Sequence, residues 1–216
     1  MTSLRSTALP PVAAEGAIVV FGATGGVGRH AVEQLLGAGQ EVIAVVRDAA
    51  KGTPLAKAGA RVVIHDLQHD DSGRLSRHLT GAESVLFAAG ARYGAPLDEL
   101  DAVDRGGAVA AVAAAREAGA ARFVHVSAIG ADSGPPPGFD DAWWTSYYAA
   151  KHAANETVRT SGPQWTVIRP GALTDPPPTG HVSLSESLPL EEISRADVAS
   201  LAQFSATRPI SGTPGM

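Results

Sequence analysis

Seven residues, Gly22-Ala23-Thr24-Gly25-Gly26-Val27-Gly28, constrain this chain more than any others. They follow the apolar, β-branched run 17–21, which suits a strand buried on both faces of a parallel sheet. They open a helical stretch from about 26 to 38, and a second apolar run follows at 42–46. Strand, turn, helix and strand fit within the ~30 residues of one βαβ unit. The spacing is GxxGxxG, and each glycine has a physical task. Gly22 permits a sharp exit from the strand. Gly25 lets the backbone approach a pyrophosphate, at backbone angles a side chain would not favour. Gly28 lets the helix pack close to the sheet. The free N–H groups at the helix start face the anion. The plainer reading is a tight turn with no ligand, but the flanking strand and helix are the context a dinucleotide turn requires.

The alternation continues. Apolar runs at 61–64, 84–88, 122–126 and 165–169 read as four more strands. Helices are predicted over 97–118 despite Gly106-Gly107, over 145–160, and over 195–206. Strands alternating with helices imply parallel pairing with right-handed crossovers. The fold class is α/β, a Rossmann-like doubly wound parallel sheet. A length of 216 residues suits one such domain, 16–216, after a loose tail over 1–15. Proline runs at 135–137 and 176–178 mark loops at the carboxyl edge of the sheet, where open α/β sheets bind ligands. These loops carry no code that names a substrate.

A net charge of −5 argues against nucleic acid and anionic membrane surfaces as partners. With no cysteine, disulfides and thiolate chemistry are excluded. No apolar run is long enough for a bilayer and the first residues lack a signal-peptide core, so a soluble, cytoplasmic protein acting on a small molecule is expected. The oligomeric state stays open, although the small-residue helix over 108–115 is suited to close packing against a partner.

Cofactor choice is read at the end of the second strand, Val45-Val46-Arg47-Asp48. An acidic residue there bonds the ribose 2′-hydroxyl of NAD, whereas an arginine takes the 2′-phosphate of NADP. Arg47 stands at the reading position, so NADP(H) is favoured over NAD(H). The plainer alternative is a surface pair between Arg47 and Asp48.

Further segments resemble the atypical short-chain dehydrogenase/reductase superfamily, in particular its small NAD(P)H-binding group of NmrA-like and flavin/biliverdin reductase-like proteins. They are Gly22 to Gly28, Val45 to Asp48, His65-Asp66-Leu67, Phe87-Ala88-Ala89-Gly90, Val126-Ser127-Ala128-Ile129-Gly130, Tyr147-Tyr148-Ala149-Ala150-Lys151 and Ile168-Arg169-Pro170-Gly171-Ala172-Leu173-Thr174-Asp175. The resemblance implies that Asp66 and Leu67 flank the adenine and that Ala88, Ala89 and Gly90 line the cofactor. It puts Ser127 near the nicotinamide ribose, and Pro170, Gly171 and Leu173 beside the nicotinamide. The plainer role of Asp66 is a strand-end cap. Where many relatives carry a second hydroxyl, this chain has Ile129. Ser127 is then a cofactor contact before it is a proton donor. The family's closing strand has no counterpart in residues 211–216, so a minimal substrate lobe is expected.

Tyr147 and Lys151 match the superfamily's YxxxK pattern and share a helix face at i, i+4, with Tyr148 as the fallback tyrosine. A free phenol has a pKa of about 10, and a nearby ammonium is expected to lower it. Lys151 would hold the nicotinamide ribose, and Tyr147 would pass a proton to a carbonyl oxygen. Among seven histidines, His65 and His69 lack helical metal-site geometry and His125 reads as a satisfied core residue; no metal site is expected. Trp143-Trp144 read either as a loop packed over the core or as an aromatic wall for a flat substrate. The function these residues imply is NADP(H)-dependent hydride transfer to a small or flat carbonyl-, quinone- or flavin-like acceptor. The alternatives are a non-catalytic NADP(H)-binding regulator and a redox-neutral isomerase or cyclase.

Overall fold

Six short β-branched runs pair side by side in the computed structural model, which describes residues 16–70, 72–185 and 188–208. The tail over 1–15 and the chain end over 211–216 lie outside the described residues. The strands are β1 (Ile18–Phe21), β2 (Val42–Val46), β3 (Arg61–Ile64), β4 (Ser84–Phe87), β5 (Arg122–Val126) and β6 (Gln164–Ile168). All pair in parallel, in the order β3-β2-β1-β4-β5-β6. β1, β2 and β4 are buried along their whole length, which is why they read as continuous apolar runs.

One face is covered by α1 (Gly26–Gly37), α2 (Ala49–Lys57) and α7 (Arg195–Thr207), through Ala31, Val32, Leu35, Leu55, Val198 and Ala202. The other is covered by α3 (Ser72–Leu79), α5 (Gly107–Ala118) and α6 (Ala142–Arg159), through Leu75, Leu79, Ala111, Ala115, Ala154 and Val158. The result is a single three-layer α/β domain. α2 and α3 were not predicted. α2 carries Gly52 and Pro54, both weak helix signals, and α3 presents only Leu75 and Leu79 to the core.

The single helix expected over 97–118 is corrected to three pieces: α4 (Leu97–Leu100), a π-helical turn (Asp101–Gly106) and α5. Gly107 sits tightly under Leu67, whose Cδ1 would lie 3.0 Å from a Cβ placed there. The small residues of α5 also turn inward. Ala108, Ala111, Ala114 and Ala115 are fully or almost fully buried within this chain, so the helix face proposed for a partner is already used. A separate parallel pair, β7 (Ala172–Thr174) and β8 (Glu192–Ser194), follows β6. With the described residues of 175–185 and 188–191 it makes up the small lobe beyond the sheet.

His125 corrects another expectation. It is fully buried on β5, 5.6 Å from the Phe87 ring, yet neither ring nitrogen has a hydrogen-bond partner among the described residues. Burial, helped by the Lys151 ammonium, depresses its pKa from 6.5 to about 3. The unfolded chain therefore binds a proton that the folded chain refuses between those values, and stability falls as pH drops through that window. His125→Leu removes both the orphaned nitrogens and the proton uptake. Urea melts at about pH 5 and pH 7 should show a smaller acid loss of stability in the variant than in the parent. An identical acid loss in both would refute the assignment to His125.

Candidate functional site

The strand order reverses between β1 and β4, so their following loops diverge and leave a crevice at the carboxyl edge. A cavity of about 280 Å³ occupies it. From β1 and its turn come Phe21, Gly22, Thr24 and Gly25; from the end of β2, Val45, Val46 and Arg47; from the end of β3, His65, Asp66 and Leu67. Ala88, Ala89, Gly90, Ala91 and Arg92 close the β4 side, and Glu99 and Val103 the far wall.

The turn has the geometry of an anion cradle. Gly22 has φ +71°, and a Cβ there would lie 2.6 Å from the Ala88 carbonyl oxygen. A Cβ on Gly28 would lie 2.2 Å from the Gly22 carbonyl oxygen, so Gly28 holds the helix against its own turn. Gly25 is different. It is the N-cap of α1 at φ −77° and ψ 169°, angles open to any residue, which corrects the expectation of a special conformation there. What Gly25 leaves clear is space, with only the Gly22 carbonyl oxygen near a would-be Cβ, at 3.2 Å. Gly26, Val27 and Gly28 form the first turn of α1, where the N–H groups have no intrahelical partner. The residues present fit a dinucleotide pyrophosphate.

At the end of β2, Asp48 caps α2 by accepting from the Ala50 N–H at 2.8 Å. Arg47 instead extends to Glu99 on α4, at 3.9 Å, and stays 61% exposed in its side chain. Asp66 has two structural roles. It caps its turn through the Gln68 N–H at 2.9 Å, and it lines the cavity. Burial opposes its ionisation, but the Gln68 N–H, His69 and Arg47 together hold its carboxyl below the usual range.

Beyond Gly90 lies a second group of residues. Lys151 on α6 is buried and its Nζ sits 2.8 Å from Oδ1 of Asp104, itself fully buried on the π-helical turn. Asp104 Oδ2 accepts the Ala91 N–H at 2.8 Å. Gly90 makes room for the pair, since a Cβ there would lie 3.1 Å from Asp104 Oδ1. Burial alone would lower the lysine pKa, but the Asp104 carboxylate raises it overall. Ser127, just past β5, is buried and its Oγ has no partner among the described residues.

Tyr147 departs from expectation. Its ring stacks on Trp143 at 5.4 Å, and Lys151 Nζ lies 5.6 Å from the ring centroid. Burial pushes the phenol pKa up, and the Asp104 carboxylate adds to this against the opposing pull of Lys151. The ammonium does pull that pKa down, as expected, but burial of the phenol outweighs it. Trp143 and Trp144 belong to a cluster with Tyr93, Phe139, Tyr147 and Tyr148, with ring centroids 4.7 to 6.3 Å apart. Trp143 Nε1 donates to the Ala95 carbonyl oxygen at 3.0 Å, fixing the cluster to the loop after β4. Both tryptophans are only partly buried, so the cluster covers the core and also presents an aromatic surface.

Pro170, Gly171 and Leu173 do not line the cavity. The Pro170 carbonyl oxygen accepts the Ile129 N–H at 2.9 Å, and Leu173 packs on the α1 side of the core. At Gly171 a Cβ would lie 2.0 Å from the Glu191 carbonyl oxygen, so this glycine is required by the returning chain. Asp132, His152 and Glu156 form the one exposed grouping of metal-type donors among the described residues. Asp132 is already engaged by Arg159 and Arg169, which outweigh its burial and hold its pKa at about 2.

Sequence reasoning missed Asp104, Glu99 and Arg195. For Asp104 a signal existed: positions 104, 108, 111 and 115 fall on one helical stripe whose other members are alanines.

Residues 22–209 match a protein family described as NAD(P)H-binding. The chain is 33% identical over 183 residues to the uncharacterized sugar epimerase YhfK of Bacillus subtilis, covering 84% of each chain. It is also 33% identical over 171 residues to the ceramide reductase of Caulobacter vibrioides, covering 79% of this chain but only 50% of that one. A solved structure from Bacillus halodurans, named provisionally as an NAD-dependent epimerase/dehydratase, superposes with a TM-score of 0.76 at 30% identity, over 87% of this chain and 86% of the other. No helix among the described residues is long and apolar enough to cross a membrane.

Proposed function

Because this chain belongs to the NAD(P)H-binding family, we propose that it is an NADP(H)-dependent oxidoreductase acting on a small or flat carbonyl-, quinone- or flavin-like acceptor. The observation that carries the reading is the division of labour at the end of β2. Asp48 is withdrawn into a helix cap, and Arg47 is left at the cavity. A guanidinium there forks onto a 2′-phosphate. Gly22, Thr24, Gly25, Gly26, Val27 and Gly28 hold the pyrophosphate in this reading. Asp66 and Leu67 flank the adenine. Ala88, Ala89, Gly90, Ser127 and Lys151 lead toward the nicotinamide, while Pro170, Gly171 and Leu173 serve the packing of the chain around β7. The reduced nicotinamide supplies hydride when bound. The aromatic cluster around Trp143 and Tyr147 offers a face for a flat acceptor, and a reductase stands among the relatives.

Arg47→Ala is expected to raise the NADPH dissociation constant about tenfold or more while leaving that for NADH within about twofold. Fluorescence titration with both cofactors checks this. Equal affinities in the parent chain would overturn the NADP preference. Turnover is tested by following NADPH oxidation against a panel of quinones, carbonyls and flavins. A second reading, a cofactor-binding regulator without turnover, is favoured by the raised Tyr147 phenol pKa and by the capture of Lys151 by Asp104. Tight NADPH binding with no turnover on any acceptor would select it.

A further inference from the structure

Gly26 has a neighbour that its place in the sequence does not suggest. A Cβ built on it would lie 2.4 Å from Cδ and 2.8 Å from Nε of Arg195, the first residue of α7. The arginine lies across the first residue of α1, in space that any larger residue at position 26 would fill. Its counter-ion is Asp175, 2.9 Å from Nη1, on the segment leaving β7. The Asp175 side chain is 82% exposed and that of Arg195 28%. An ion pair open to solvent in this way contributes only about 0–1 kcal/mol. A guanidinium beside unpaired N–H groups at a helix start is held close to where a phosphate anion would sit, and phosphate oxygens outcompete a solvated carboxylate for it.

We propose that Arg195 is a pyrophosphate-binding residue that exchanges Asp175 for the cofactor. The proposal rests on the cofactor reading of the glycine turn and adds a residue from the opposite end of the chain. It gives the missing side chain at Gly26 a reason: the arginine reaches the anion through that gap. It also ties the segment after β7 to cofactor occupancy, because binding releases Asp175.

The pyrophosphate is common to NADPH, NADH and ADP-ribose, which separates this role from that of Arg47. Arg195→Ala should raise the dissociation constants of all three by a similar factor, about tenfold. Arg195→Lys, which keeps the charge but loses the fork, should raise them about threefold. Asp175→Asn should tighten NADPH binding about two- to threefold, because it frees the arginine, and should do nothing in the Arg195→Ala background. Melting temperatures of all variants serve as the control for folding. Unchanged affinities in folded Arg195→Ala would overturn the assignment. So would tightening by Asp175→Asn of equal size in both backgrounds, which would be loss of a negative charge acting without the arginine. A parent protein that bound none of the three ligands would overturn the cofactor reading itself, and this inference with it.

Discussion

Gly25→Val is expected to raise the NADPH dissociation constant by about a hundredfold or more while the domain stays folded. The two effects separate because of what each glycine touches. At Gly25 the backbone angles are ordinary and the nearest obstacle, the Gly22 carbonyl oxygen, is 3.2 Å from a would-be Cβ. The side chain therefore has room to exist, but it would take up space at the cavity that Gly25 lines as the N-cap of α1. An anion kept at a distance there loses charge-assisted hydrogen bonds and the favourable end of the helix dipole together. Gly28→Val, by contrast, would bring a Cβ to 2.2 Å from the Gly22 carbonyl oxygen, a backbone collision that only a shift of helix or turn relieves. That variant is expected to lose the fold. Calorimetric titration and thermal melting of the two variants distinguish the cases. A folded Gly25→Val with parental NADPH affinity would reduce the turn to a structural element.

The second large effect is expected at the buried pair. Asp104→Ala leaves the Lys151 ammonium in the interior without its partner, and breaking such a pair from one side costs about 3–5 kcal/mol. For a chain of this size that lowers the melting temperature by roughly 10 °C. Lys151→Met strands the carboxylate instead and should be comparably damaging. The double variant Asp104→Ala/Lys151→Met should recover a large part of either loss, because an apolar replacement leaves no unpaired charge. Losses that simply add would show that the two residues do not act as a pair. The pH dependence has a definite sign. The Lys151 pKa is raised in the folded state, so its contribution is complete below the ordinary value of 10.5 and disappears only as pH climbs through the higher folded value.

The glycine turn, whose shape is a local backbone demand, was legible in the sequence. Gly22 follows from the sharp exit that its strand requires, Arg47 was read from its place at the end of β2, and the small residues at 88–90 came from the family resemblance. The strands were legible because burial on both faces leaves an uninterrupted apolar run. α3 was not, because two leucines in a polar octet give too faint a stripe. Tyr147 and Lys151 were recognised by spacing, but spacing could not reveal that Lys151 is paired with Asp104 or that burial raises the Tyr147 pKa. The extra residue of a π-helical turn shifts the phase of a helix in a way periodicity does not anticipate. Arg195 was invisible for a plainer reason. Its contact with Gly26 joins the two ends of the domain, and only the packing of α7 beside α1 brings them together.

The β7–β8 pair has an evolutionary consequence. It fixes the entrance and exit of the segment 175–191 side by side, with Asp197 accepting from the Thr179 and Gly180 N–H groups to moor its first part to α7. Between those moorings the segment carries exposed Leu184, Leu188 and Leu190, and no strand of the main sheet runs through its described residues. Doubling the length of a loop with fixed ends costs only about 0.6 kcal/mol. Such a segment is a cassette. It can be lengthened, shortened or exchanged at little cost to the glycine turn and the six-stranded sheet, so related chains can vary here without renegotiating how they fold.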